Sequence, residues 1–145
     1  MTAVAAVAAA AVGAVALPAA AADHPAPRPH HNTVYISDVQ ARSGWEHSNW
    51  ALNKEWVDIT NRSRRDVNLD GWTLSDRDGH TYTFHHYRLA GRSSVRVHTG
   101  YGRDSRTDLF QDRHRSVWDS ADTATLRNDH GWLVDDASWG RRFYR

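Results

Sequence analysis

The chain has 145 residues, enough for one domain of ordinary size and too few for two. Its 18 Lys and Arg nearly balance 17 Asp and Glu, leaving a formal net charge of +1, which excludes a protein built mainly to neutralise phosphates while allowing a local basic patch. Cysteine is absent, so thiol chemistry and disulfides are excluded and the fold must be held by its core alone.

In chain order, Met1–Ala22 carries an apolar run from Ala3 to Leu17, a break at Pro18, and small residues up to Ala22. This is the pattern of a secretory signal peptide with an A-x-A cleavage site, although its start lacks Lys or Arg, and it leads us to expect a secreted, extracellular protein. A retained membrane anchor is the rival. It is disfavoured because alanine contributes little transfer energy and a spanning helix needs about 20 strongly apolar residues, so no membrane span is expected after cleavage. Asp23–Asn32 (DHPAPRPHHN) is rich in Pro and His without apolar periodicity and reads as a flexible tether.

The domain is expected over residues 33–140, with 141–145 (RRFYR) as a basic tail. Period-2 alternation predicts strands at Thr33–Val39, with Val34 and Ile36 on one face, and at Glu55–Asn61, with Val57 and Ile59. Between them Ala41–Asn53 reads as a loop containing tryptophan. Trp72 and Leu74 share a face of one strand, and Tyr82 and Phe84 share a face of the next, making Trp72 the leading core candidate. Ser94–His98, Asp122–Arg127 and Trp132–Trp139 complete the set. No helical period of ten or more residues is found, and short strands separated by Gly, Asn and Asp predict an all-β antiparallel sandwich.

The Asp-rich link Ser75–Gly79 (SDRDG) raises a choice between a metal loop, a carboxylate pair and a hairpin turn. A calcium loop needs a bidentate Glu six residues after its Gly, and His85 stands there. Asp76 and Asp78 are expected in a solvated tip with nothing to raise either pKa, so a hairpin with Gly79 at positive φ is the reading. Nucleophile elbows and H-E-x-x-H are absent. Ten His match no zinc spacing, although strand geometry places His80 and His86 on the side of Tyr82 and Phe84. We expect no enzyme activity, no cofactor and no metal site.

Seven Trp exceed what a small core usually absorbs. Trp56 should face away from Val57 and Ile59, and Trp45, Trp50 and Trp118 lie in loop-like surroundings. They either cap the sandwich or, at Trp45, Trp50 and Trp56, form a platform for a partner or sugar. Arg62, Arg64 and Arg65 fill one loop with only Asp58 and Asp66 nearby, a solvated face or an anionic-polymer site. A second group, Arg103, Arg106, Arg113 and Arg115, is diluted by Asp104, Asp108 and Asp112.

EWVDITN, VNLDGWTLSDRDGHTYTF, VRVHTGYG, TDLF and VWDSADTATLRNDHGWLVDD, in this order, resemble the lamin tail domain over about Thr33–Trp139, in particular its bacterial secreted versions. The resemblance implies an immunoglobulin-like β-sandwich without catalytic constellation, used as an interaction module. A heptad rod, basic import segment and prenylation signal are not seen, so filament and nuclear roles are not carried over. The expected function is a secreted, non-catalytic binding module engaging a protein or cell-wall component of the cell envelope or its surroundings. The alternatives are an anionic-polymer or extracellular-DNA binder, and a carbohydrate-targeting module or small hydrolase.

Overall fold

Along β2 (Trp56–Asn61) the side chains alternate between full burial, at Val57, Ile59 and Asn61, and partial exposure, at Trp56, Asp58 and Thr60. The same alternation in β7 (Ser94–His98) buries Val95 and Val97 and turns Arg96 and His98 outward. The two strands pair antiparallel with Val57 opposite Val97 and Asp58 opposite Arg96, so their apolar sides form one face. The computed structural model describes residues 32–41 and 47–140. The expected leader, the tether apart from Asn32, the tail and Trp45 lie outside these residues.

β1 (Val34–Gln40) adds the outer strand beside β2 and contains a bulge between Ile36 and Asp38. Strict alternation would turn Val39 away from the side of Ile36. The extra residue restores it, and Val39 sits opposite Val57 and packs on the core. On the other side of β7, β8 (Asp108–Phe110) runs parallel, giving the sheet order β1-β2-β7-β8. This parallel pair departs from the wholly antiparallel expectation; the chain reaches it through residues 99–107, which return from the end of β7 to the start of β8.

The second sheet has the order β10-β9-β4-β5, from β4 (Thr73–Ser75), β5 (Thr81–Thr83), β9 (Asp122–Arg127) and β10 (Leu133–Trp139). Leu74, Ala124 and Leu126 point from it into one core shared with Ile59, Val95 and Val97 of the first sheet. A short ladder of β3 (Val67–Asn68) with β6 (Arg88–Leu89) covers the side, burying Leu69 and Leu89. The architecture is an all-β, immunoglobulin-like sandwich.

Three local expectations are corrected. Trp72 packs against the core but is not fully buried, since it precedes β4 in a turn where its amide donates to Leu69 O; the fully buried tryptophan is Trp118, 1% exposed. Asp76 is not in a solvated tip. It is buried and accepts bonds from His80 N (2.7 Å) and the His80 ring Nδ1 (2.6 Å), while Asp78 is exposed as expected. The link is a hairpin turn, with Gly79 at φ +95. Lastly, Ala41–Asn53 is not all loop: α1 (Asn49–Leu52) is a single helical turn capped by Ser48, whose hydroxyl accepts from Ala51 N, and it buries Ala51 and Leu52.

Candidate functional site

The register of the first sheet lays two rows of side chains across its outer face. Gln40, Trp56, His98 and Phe110 stand opposite one another in one row, and Asp38, Asp58, Arg96 and Asp108 in the next. Arg96 joins the rows. Its guanidinium makes two parallel bonds to Asp58, at 2.8 and 3.0 Å, and its Cζ lies 3.4 Å from the centre of the Trp56 ring. The hydrogen bond to Asp58 raises the pKa of Arg96 above its already high ordinary value.

His98 is held from three sides. Its ring stacks on Phe110 at 4.7 Å, Nδ1 lies 2.9 Å from Asn53 O, and Nε2 lies 2.7 Å from Asp108 Oδ1. The bond from His98, followed by that from Thr107, holds the Asp108 carboxyl below the usual carboxylate range. The ring therefore ties β7 and β8 to the end of α1.

α1 completes the arrangement by carrying Trp50, 67% exposed, with the Lys54 ammonium 3.4 Å above its ring. Gln40, Trp50, Asn53, Lys54, Trp56, Arg96 and His98 together line an open groove of about 570 Å³. The turn that presents Trp50 is clamped. Asn49 and Asn53 both donate to Tyr101 O, at 3.1 and 2.8 Å, and Tyr101 N returns a bond to Asn49 Oδ1 at 2.6 Å. Gly100 permits this approach, because a Cβ there would lie 2.4 Å from Asn49 Oδ1.

Beneath the groove, Glu55 is fully buried, and its carboxylate accepts from Thr99 Oγ1 (2.8 Å), Val117 N (2.7 Å), Trp118 N (3.0 Å) and Ser116 Oγ. Three of these donors meet Oε1 and Ser116 meets Oε2. The arrangement suits a structural clamp that fixes residues 116–118 against the start of β2, with the carboxylate fully out of contact with solvent.

Of the residues singled out from sequence, Trp50 and Trp56 meet in the groove, and Trp56 faces outward from β2 as expected. Arg62, Arg64 and Arg65 do not join them, since they follow the far end of β2, six residues of strand away. Arg62 lies over the Tyr35 ring at 4.9 Å, and Arg64 and Arg65 are exposed. Sequence reasoning missed Lys54, Arg96, His98 and Glu55. Arg96 and His98 carried a signal, as the outward positions of the S-V-R-V-H alternation; Lys54 required the helical turn. Among the described residues no group of three or more His, Asp and Glu could hold a metal ion, and no helix is long and apolar enough to cross a membrane.

A two-sheet immunoglobulin-like sandwich with an aromatic and cationic groove on one outer face, and with the buried carboxylates of Glu55, Asp76 and Asp122 each bonded within the fold, has the form of an interaction module. The lamin tail domain family model matches residues 27–141, most of the chain, and the chain belongs to this family. The family is a non-enzymatic, immunoglobulin-like one, which fits an interaction module rather than a catalyst. No curated protein matches the sequence.

Proposed function

We propose that this is an exported, non-catalytic binding module that engages a protein or cell-wall component of the cell envelope or its surroundings through the Trp50–Trp56 groove. The observation that carries the reading is Trp50 itself. Exposing two-thirds of a tryptophan costs apolar burial, and this one is held on a clamped turn rather than left on a loose loop. Arg96 is committed to Asp58 and Trp56, whereas Lys54 makes no ion pair with a described carboxylate. The groove thus offers a ring face for apolar contact and one cation for an acidic group, the combination common at the centres of binding surfaces.

A simple sugar platform is less well supported, because Arg96 already covers one face of Trp56. The test is co-sedimentation of the purified chain with envelope fragments and with isolated peptidoglycan. Trp50→Ala and Lys54→Ser should each release the chain into the supernatant without lowering its melting temperature. Retention unchanged in both variants would place the contact elsewhere.

A further inference from the structure

We infer that the end of the sandwich built from the β2–β3 and β6–β7 loops is a second binding site, distinct from the groove, for a polysaccharide carrying repeated carboxylate or sulfate groups. The two loops form a single rigid unit. Asn61, fully buried at the end of β2, donates to Arg65 O at 2.7 Å and to Leu89 O at 3.1 Å, and Arg92 N donates to Ser63 O at 2.8 Å. Gly91 is packed so closely that a Cβ would fall 2.3 Å from Arg64 O, and its amide donates to Asp66 Oδ1 at 3.0 Å. A loop fixed this way presents its side chains from a backbone that needs no ordering on binding.

What it presents is charge. Arg64, Arg65, Arg88 and Arg92 are exposed on these two loops and on β6, and Arg106 reaches the same side from the β7–β8 crossover. None of the five is ion-paired with a described carboxylate, in a chain whose formal net charge is only +1. Elsewhere, Arg96 is matched to Asp58 and Arg113 to Gln111 and Thr81 O. Five guanidiniums without an ion-pair partner outnumber the acids beside them, Asp66 in the recess, Asp70 next to Arg88 and Asp108 near Tyr87, and make a local positive field; guanidinium pairs bidentately with carboxylate and sulfate alike.

The recess between them narrows the ligand. Arg88 and Arg106 flank a cavity of about 510 Å³ that is also lined by Ser93, Ser94, Thr107 and Asp66. A phosphodiester backbone brings no donor for Asp66, whereas sugar hydroxyls can donate to that carboxylate while neighbouring acidic groups meet the arginines. Among the residues lining the recess only Tyr87 offers a ring on which a base could stack. The Tyr87 hydroxyl is turned to Arg106 O at 2.6 Å, and Tyr35 lies under Arg62.

The experiment is chromatography of the whole purified chain on immobilised heparin, polygalacturonate and double-stranded DNA, across a salt gradient. Expected are retention on both acidic polysaccharides at low salt, weaker retention on DNA, and elution that follows ionic strength. Arg88→Ser/Arg106→Ser, and separately Arg64→Ser/Arg65→Ser, should each lower polysaccharide affinity about tenfold or more with an unchanged melting temperature. Trp50→Ala should leave this retention intact, which separates failure here from failure of the groove. The inference is overturned if neither polysaccharide is retained, if both double variants bind as the parent does, if Trp50→Ala abolishes retention, or if DNA elutes at higher salt than either polysaccharide.

Discussion

Glu55 is fully buried, and its bonds to Thr99, Val117 and Trp118 are to buried groups that have no water to turn to. Glu55→Ala strands two hydroxyls and two amides and should cost about 3–5 kcal/mol in urea unfolding, while Glu55→Gln, which keeps one acceptor oxygen, should cost about 1–3 kcal/mol. An unchanged midpoint for Glu55→Ala would remove the clamp from the account. The tryptophans rank by the same logic of burial. Trp118, 1% exposed and edge-on to Trp139 at 5.8 Å, should lose about 3–5 kcal/mol on truncation to Ala. Half-buried Trp72 should lose about 1–2 kcal/mol, so equal losses would contradict the placement of the core. Burial, aided by Asp104 near Tyr82 and by Asp108 near Tyr87, pushes both phenols up to about 12. A raised folded-state pKa means stability that is fully present below the unfolded value of about 10 and lost as pH rises through the folded one. Phenolate absorbance should therefore show two late-titrating tyrosines whose ionisation coincides with alkaline unfolding; ionisation of every tyrosine near pH 10 in the folded chain would contradict it.

At the scale of elements, the Ser75–His80 turn separates two aspartates that look alike in sequence. Asp76→Ala removes both bonds to His80 from a buried position and should cost about 1–3 kcal/mol, whereas Asp78→Ala should stay within about 0.5 kcal/mol. Thermal unfolding of the two variants checks this, and the reverse order would refute the turn geometry. Strands with strict alternation, β2, β7 and β9, were legible because burial of one face alone writes a period of 2 into the sequence. Three features were not. A four-residue helix is shorter than the period that would reveal it, and three residues of β8 do not declare a parallel partner. Trp118 is held in the core where Glu55, far away in sequence, accepts its backbone amide, a contact that no local pattern encodes.

Across the whole molecule, the two proposed surfaces sit at opposite ends of β2: Trp56 opens the strand into the groove, and Arg62 follows its close into the arginine loops. Half of each surface could be read from the sequence. Trp56 and the three arginines stood out by residue type and alternation, but Arg96 and His98 joined Trp56 only once β2 was registered against β7, and Arg88 joined Arg64 only once Asn61 tied their loops. The central claim is that ligand contact runs through the groove. The most direct measurement is the nitrogen-15 correlation spectrum of the tryptophan indoles, recorded as a solubilised envelope fraction is titrated into the labelled chain. The account predicts that the Trp50 and Trp56 signals move while buried Trp118 and the exposed Trp132 stay in place. Movement of Trp132 with Trp50 unmoved would contradict it.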